Sequence, residues 1–134
     1  MILVDTNVLL DVVTVDPHWA DWSQRQLDAA ALQDRLVING VVYAELAPAF
    51  LHIEELDAAL AIAGVGILDI PRAALYLAGR TFVTYRKQRG TKTGVLPDFF
   101  IGAHAAVAAI PLITRDATRY RSYFPTVQLI APQS

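Results

Sequence analysis

Short apolar runs recur along the chain and predict five β-strands. These runs are rich in Val, Ile and Leu and occupy residues 2–4, 36–38, 67–70, 111–114 and 127–130. They are mostly continuous rather than alternating, which is typical of strands that are covered on both faces of a parallel sheet. We therefore expect a short, mostly parallel sheet at the centre of the fold.

Longer segments with helical spacing separate these runs and predict helices over residues 18–33, 54–63, 72–89 and 98–109. In the first of them Trp19, Trp22, Gln26 and Ala30 share one face. The last is apolar nearly all round, which predicts a buried, central helix. The alternation of strands and helices predicts an α/β fold, built as a three-layer α/β/α sandwich.

Length and composition predict one domain over residues 1–134 with a full hydrophobic core. A chain of 134 residues buries roughly two thirds of its unfolded surface on folding. The hydrophobic share of 54% exceeds the usual value of about 45–50%, and the excess favours an apolar face for a partner. The absence of cysteine excludes disulfides, thiolate metal sites and cysteine nucleophiles. No stretch resembles a signal peptide or a membrane span, so we expect a cytoplasmic protein.

Charge is unevenly distributed along the chain, although the net charge is only −2. Residues 1–70 carry eleven acidic and two basic side chains, whereas residues 71–134 carry two acidic and nine basic ones. A basic segment in an acidic chain is typical of a nucleic-acid footprint, but a solvated helix face with charged loops fits equally well. The two acidic side chains of the second half are Asp98 and Asp116.

Two aspartates directly follow predicted strands. Asp5 ends the sequence LVD at residues 3–5, and Asp116 ends the sequence LITRD at residues 112–116. Ligands of open parallel sheets bind beyond the carboxyl ends of the strands, so both carboxylates are candidate site residues. Each of them equally fits an N-cap of the helix that follows it.

Asp98 and Glu45 lie in mostly apolar helices. Asp98 begins the most apolar predicted helix, where the helix dipole alone would favour an acid in the first turn. Gly102 and Ala105 are small, which predicts close packing of this helix against the sheet. Glu45 lies in a helix after the second strand and either joins the other carboxylates or points to solvent.

A shared site for four carboxylates has one chemical consequence. Two carboxylates about 5 Å apart repel each other by roughly 3 kcal/mol at an effective dielectric near 20, so four require compensation. A divalent cation supplies it, and oxygen ligands select Mg²⁺ or Mn²⁺ over zinc. Such a site suits the hydrolysis of phosphodiesters. Glycoside hydrolysis, the competing carboxylate chemistry, has no other support here, and no serine elbow or phosphate-binding glycine loop is present.

With these residues in view, the chain resembles the PIN-domain family, and within it the VapC-type toxins of toxin–antitoxin pairs. Four motifs carry the resemblance over nearly the whole chain: ILVDTNV at residues 2–8, VYAE at 42–45, PDFFIGAHA at 97–105 and LITRD at 112–116. The resemblance implies an Mg²⁺- or Mn²⁺-dependent endoribonuclease that cuts RNA. It also implies a homodimer that is inhibited by a small cognate VapB-like antitoxin.

The resemblance also implies roles for individual residues. Asp5, Glu45, Asp98 and Asp116 match the catalytic, metal-holding acids, and Thr6, Asn7 and Thr114 match positions that support the site by hydrogen bonding.

The remaining candidate residues are five basic side chains and one histidine, which no motif of the resemblance assigns to the site. The basic residues Arg86, Lys87, Arg89, Lys92 and Arg115 are candidates for contacts with RNA phosphates, although Arg115 equally fits a pairing with an acid. His104 lies about 240° round the helix from Asp98, so we expect a structural role or a subunit contact.

A second hypothesis keeps the fold but not the activity: a catalytically silent module that binds RNA or protein. The complete set of four acids argues against it. A DNA-directed nuclease shares all of the chemistry and differs from the first hypothesis only through the resemblance, because no sensor of the ribose 2′-hydroxyl is recognisable.

Overall fold

The computed structural model describes residues 1–88, 90–92 and 94–133, and it contains a five-stranded sheet in which every strand pair is parallel. The strands are β1 (Ile2–Val4), β2 (Leu36–Asn39), β3 (Gly66–Leu68), β4 (Leu112–Ile113) and β5 (Leu129–Ile130). The predicted sheet is therefore confirmed, and it is wholly rather than mostly parallel. The strands β1, β2 and β4 are buried on both faces, as the continuous apolar runs predicted. The same prediction is wrong for the two edge strands, because β3 and β5 are only partly buried and Ile67 is 51% exposed.

Helices connect the strands and cover the sheet. They are α1 (Thr6–Val13), α2 (Ala20–Ala31), α3 (Gly40–Leu46), α4 (Ile53–Ala63), α5 (Arg72–Lys87), α6 (Leu96–Ala108) and α7 (Thr118–Tyr123), with a 3₁₀ turn at Ala47–Ala49. The predicted helices agree with α2, α4, α5 and α6 to within a few residues. The inward face of α2 differs from the predicted grouping, since Ser23, Leu27 and Ala30 are buried while both tryptophans are half-buried.

The order of the strands, β3-β2-β1-β4-β5, creates a crevice beside β1. From β1 the chain passes to β2 and β3 on one side, and it then returns to place β4 on the other side of β1. Connections that leave in opposite directions open a gap at the carboxyl ends of the two central strands, where ligands of such sheets bind. Asp5 follows β1 and Thr114 follows β4, so the fold brings the two predicted motifs to this gap.

The buried helix α6 packs as the sequence predicted, with one change of neighbour. Phe99, Ile101, Ala103 and Ala105 are buried. A Cβ atom at Gly102 would lie only 2.4 Å from the ring of Phe124. The close contact that the glycine permits is therefore with the segment after α7.

No helix in the described part of the chain is long and apolar enough to cross a membrane.

Replacing Gly102 with alanine tests this packing. Although alanine is the better helix former, its methyl group would force the ring of Phe124 to move, and such overpacking costs about 1–3 kcal/mol. We expect Gly102→Ala to lower the free energy of unfolding in urea. Gly79→Ala is the matched control, because a Cβ atom there would meet nothing within 4 Å and should stabilise α5 by up to about 1 kcal/mol. Equal effects of the two changes would contradict the packing.

Candidate acidic active site

Asp5 lies at the centre of the crevice. Its side chain is only 4% exposed, and its Oδ1 atom accepts a hydrogen bond of 2.8 Å from the backbone N–H of Thr6, which caps α1. Its Oδ2 atom accepts from the hydroxyl of Thr114 at 2.8 Å, from the hydroxyl of Tyr120 at 3.0 Å and from the amide of Asn7 at 3.3 Å. Asp5 thus caps a helix and also lies in the crevice where a ligand would bind, so the two interpretations of it do not exclude each other.

Burial changes the titration of this carboxyl group. It raises the pKa of Asp5 from 3.8 to about 6, and the negative charge of Asp98 adds to the rise while the hydrogen bonds from Thr114, Tyr120 and Thr6 oppose it. Burial also raises the pKa of Tyr120 well above 10. The Tyr120 hydroxyl therefore stays protonated and donates a hydrogen bond to Asp5.

Glu45 reaches the crevice from α3. The side chain of Asn39 caps this helix by accepting hydrogen bonds from the backbone N–H groups of Val41 and Val42, at 3.0 and 3.1 Å. The Oε1 atom of Glu45 accepts a 2.7 Å hydrogen bond from the hydroxyl of Thr6. Because the N–H group of Thr6 also binds Asp5, this threonine connects the two acids.

His104 holds the side chain of Asn39, which caps α3. Its Nδ1 atom lies 3.1 Å from the side-chain nitrogen of Asn39. The oxygen of Asn39 already accepts two N–H groups, so its nitrogen is the donor and Nδ1 of His104 is the acceptor, which places the proton of the ring on Nε2. Burial lowers the pKa of His104, in agreement with a neutral ring. His104 is 1% exposed, so the structural role predicted for it fits and a subunit contact does not.

Asp98 lies in the first turn of α6 and is half-buried. Its Oδ2 atom accepts a charged hydrogen bond from Nη1 of Arg119. Burial raises the pKa of Asp98, the guanidinium of Arg119 opposes that rise, and the negative charges of Glu45 and Asp116 add to it. These effects place Asp98 within electrostatic range of the other three acids.

Asp116, like Glu45, is an exposed acid, whereas Asp5 and Asp98 are more buried. Asp116 lies in the loop after β4, and its backbone N–H donates to the hydroxyl oxygen of Thr114 at 3.1 Å. The expectation that Asp116 caps α7 is wrong, because Ala117 occupies the N-cap position and no side chain caps that helix. The carboxylate is therefore directed by the turn after β4 rather than by a helix.

The four carboxylates share one edge of the sheet but do not form a closed cage. Among residues 1–88, 90–92 and 94–133, no group of three His, Asp or Glu side chains is tight enough to hold a metal ion. Arg119 engages one of the acids and Thr6 another. The arrangement concentrates negative charge around a buried carboxylate.

Arg115 does not lie free beside Asp116. Its Nε atom pairs with the Oδ2 atom of Asp11 at 2.9 Å, and its guanidinium lies 5.5 Å from the ring centre of Trp19. Asp11 is 2% exposed and also accepts a 2.8 Å hydrogen bond from Ser23. The structure thus fits the alternative that Arg115 pairs with an acid, and it connects the loop after β4 to α1 and α2.

The remaining predicted basic residues lie at the end of α5 and beyond. Arg86 and Lys87 are exposed in its last turn, and the guanidinium of Arg86 lies 5.6 Å from the ring centre of Phe82. The backbone N–H of Lys92 donates to the hydroxyl of Tyr85 at 3.0 Å. Arg89 lies outside the described residues.

Sequence reasoning missed Tyr120, Arg119 and Asn39. Asn39 carried a usable signal, since it ends a strand and precedes a helix, as Asp5 does. Tyr120 and Arg119 lie in a short helix, and their contacts with Asp5 and Asp98 span 115 and 21 positions of sequence. No local pattern predicts contacts over such distances.

Comparison with known proteins agrees with this geometry. The model of the PIN domain family matches residues 2–124, so the chain belongs to the PIN-domain family. No curated protein matches it.

Solved structures share the fold. VapBC2 from Rickettsia felis, bound to a promoter DNA fragment, contains a chain with a TM-score of 0.74 and 20% identity, over 99% of this chain and 100% of that one. VapBC-1 from nontypeable Haemophilus influenzae gives 0.69 and 22%, over 98% of both chains. FitAcB from Neisseria gonorrhoeae gives 0.64 and 22%, over 97% of this chain and 96% of that one.

Stability as a function of pH tests the burial of Asp5. The folded protein holds the Asp5 proton up to about pH 6, whereas the unfolded chain releases it near 3.8, so the wild type loses stability as pH rises through this window. The amide of Asp5→Asn carries no charge at any of these pH values. The free energy of unfolding of this variant, relative to that of the wild type, should therefore rise by up to about 3 kcal/mol between about pH 4 and pH 8. Urea unfolding at both pH values measures this difference.

Asp16→Asn is the control with the opposite sign. Backbone N–H bonds from His18 and Trp19 lower the pKa of Asp16, so its carboxylate stabilises the fold at neutral pH and loses that effect in acid. This variant should therefore be less stable than the wild type at about pH 8 and similar to it near pH 3. An Asp5→Asn variant with the same relative stability at every pH would show that Asp5 carries no burial cost.

Proposed function

We propose that this protein is a metal-dependent endoribonuclease and the toxin of a toxin–antitoxin pair. The observation that carries the proposal is that Asp98 lies within electrostatic range of Asp5, Glu45 and Asp116 at the crevice beside β1. Membership of the PIN-domain family supports it, and so does the likeness to solved toxin–antitoxin chains in fold.

The donor set fits a hard divalent cation. All four side chains offer carboxylate oxygens, while His104 is turned to Asn39, and His18 and His52 are exposed. Oxygen ligands favour Mg²⁺ or Mn²⁺ over zinc. Burial is the main cause that raises the pKa of Asp5 and Asp98, and the charges of neighbouring acids add to it; a bound cation would offset both effects. When bound, the ion would polarise a phosphodiester and activate water towards it.

The residues of the chain itself prepare the site. Thr6 and Thr114 hold Asp5 and Glu45 in fixed orientations through hydroxyl hydrogen bonds, and Asn7 adds an amide to Asp5. Such support limits the rotation of the acids, which favours binding in one geometry. We assign Arg86, Lys87, Arg89 and Lys92 to contacts with RNA phosphates, because this part of the chain is strongly basic.

A silent binding module is the second candidate, and a DNA-directed nuclease shares the same chemistry. The complete set of acids disfavours the first. A DNA-directed nuclease differs from a ribonuclease only in its substrate, so one assay should compare the cleavage of RNA and of DNA of the same sequence.

Metal binding and RNA cleavage together test the proposal. Mg²⁺ or Mn²⁺ at about 100 times its dissociation constant should stabilise the protein by roughly 2.7 kcal/mol, which raises the melting temperature by several degrees over an EDTA sample. Asp98→Asn should lose this rise together with the cleavage of single-stranded RNA. A wild type that binds the ion but cleaves DNA only would contradict the assignment to RNA.

Arg119→Gln is the informative companion variant. The Arg119 guanidinium competes with a cation for Asp98, so its removal should increase the metal affinity that the same melting experiment reports. A gain in Arg119→Gln and a loss in Asp98→Asn would identify Asp98 as a ligand. No metal effect in any of the three proteins would favour the silent module.

The antitoxin partner has a suitable apolar surface that none of the four carboxylates lines. An apolar groove with a volume of about 580 Å³ lies between α1, α2 and α4. Its walls include Leu9, Leu27, Phe50 and Leu60. The groove lies in the half of the chain that carries eleven acidic and two basic side chains, so an apolar segment flanked by basic residues complements it. We propose that the antitoxin fills this groove, and that the exposed apolar side chains of α5, Leu75 and Tyr76, serve a homodimer.

Ala63→Arg tests the groove. This residue is exposed at the rim, so the change leaves the core intact while it puts a bulky positive charge where the antitoxin would bind. Co-expression with a VapB-like antitoxin that binds the wild type should give a complex with the wild type and none with Ala63→Arg, as measured by size exclusion. An intact complex with the variant would place the antitoxin on another surface.

A further inference from the structure

A second groove, with a polar lining, lies between α5 and α7. Its volume is about 590 Å³, and it is lined by Thr81, Thr84, Gln88, Ser122 and Tyr123. Thr81 and Thr84 lie in α5 and Gln88 follows its last residue, so the three, at positions i, i+3 and i+7, form one wall of the groove. The two residues from α7 form the opposite wall. No role in the proposed chemistry accounts for these five side chains.

The hydroxyl groups of this groove are committed as donors. Thr81 donates to the carbonyl of Leu77 at 2.8 Å, Thr84 to that of Arg80 at 3.3 Å, and Ser122 to that of Thr118 at 3.1 Å. A hydroxyl has one proton and two lone pairs, so each of the three presents an acceptor to anything that enters the groove. The groove therefore favours a ligand that carries several N–H donors.

Gln88 and Tyr123 add a donor and an aromatic surface. The hydroxyl of Tyr123 donates to Oε1 of Gln88 at 3.2 Å, which leaves the two N–H groups of the amide to donate. The ring of Tyr123 is held against Phe99 and Tyr85, with ring centres 5.1 and 6.2 Å apart. Because this packing already restricts the rotation of the ring, stacking with a base would cost little further side-chain entropy.

The groove adjoins the acidic site. Phe99, which contacts Tyr123, follows Asp98 directly in α6. On α7, Arg119 contacts Asp98 and Ser122 follows three residues later, which is a rise of about 4.5 Å along the helix axis. A nucleotide whose phosphate lies at the carboxylates would place a neighbouring base at this groove.

We propose that this groove is a recognition subsite for one unpaired nucleobase that carries an exocyclic amino group. Guanine, adenine and cytosine each present an amino group on the Watson–Crick edge, which the three hydroxyl acceptors bind, and uracil does not. The N–H groups of Gln88 bind an acceptor on the same edge. The subsite rests on the proposed ribonuclease function, since it selects the sequence context of the cleaved bond.

Nucleotide binding without metal tests the subsite independently of cleavage. In EDTA, NMR titration with GMP and IMP compares two ligands that differ only in the amino group at position 2. GMP should shift the amide signals of Thr84, Gln88 and Ser122, and it should bind about threefold to tenfold more tightly than IMP, as expected for one hydrogen bond. CMP and UMP form a second pair with the same expected order.

Variants of the hydroxyl groups connect this preference to the groove. The double variant Thr84→Val with Ser122→Ala removes two acceptors at exposed positions, so it should bind GMP and IMP equally. Thr14→Val is the matched control, because the Thr14 hydroxyl donates to the carbonyl of Leu10 at 2.7 Å in an exposed helix end outside the groove. The control should keep the preference for GMP.

The outcomes separate the subsite from the ribonuclease. Equal binding of GMP and IMP, shifts confined to other residues, or a preference that survives in the double variant would overturn the subsite. If the wild type shows the preference yet cleaves no RNA with Mg²⁺ or Mn²⁺, the ribonuclease fails while the subsite stands. If the wild type cleaves RNA and the double variant cuts at the same positions with the same relative rates, the subsite fails alone.

Discussion

The structure depends on one buried carboxylate, that of Asp5. Its side chain is 4% exposed, and four donors surround it: the backbone of Thr6 and the side chains of Asn7, Thr114 and Tyr120. These donors come from α1, from the end of β4 and from α7, so a single group ties three parts of the fold to the end of β1. Burial of an acid is costly even with several hydrogen bonds, which is why the pKa of Asp5 lies near 6 rather than 3.8. A fold made for stability alone would place an apolar or amide side chain at this point.

The fold was largely predictable, because its signals are local. The apolar helix predicted the buried position of α6, and this prediction is confirmed. Continuous apolar runs predicted buried parallel strands, which is confirmed for β1, β2 and β4 but not for the partly buried edge strands β3 and β5. The inward face of α2 was not predictable from the bulk of its side chains. Ser23 is buried because its hydroxyl binds Asp11, while Trp19 is half-buried against the guanidinium of Arg115. Polar contacts with distant residues thus decided which side of the helix faces inward.

The site was predictable in part, for the same reason. Asp5 and Asp116 both follow predicted strands, so a shared sheet edge could be foreseen on the condition that the two strands are neighbours. The βα pattern does not fix that order, and the structure supplies it by pairing β1 with β4. Asn39 and His104 act on the site indirectly. They fix the start of α3, which carries Glu45, and form no hydrogen bond with the acids themselves. Arg119 lies beyond such reasoning, because its pairing with Asp98 depends on how α7 is set against α6.

The uneven distribution of charge favours one direction of approach for RNA to the proposed site. The acidic half of the chain builds β1, β2, β3 and the apolar groove, whereas the basic half builds α5, α6, α7, β4 and the polar groove; the two halves meet where β1 pairs with β4. A phosphate backbone is attracted to the basic half and repelled by the acidic one, so RNA would approach the carboxylates along α5 and α7. The carboxylates themselves repel phosphate until a cation neutralises them. Binding of the ion and of the RNA at this edge should therefore be coupled, since each reduces the electrostatic cost of the other.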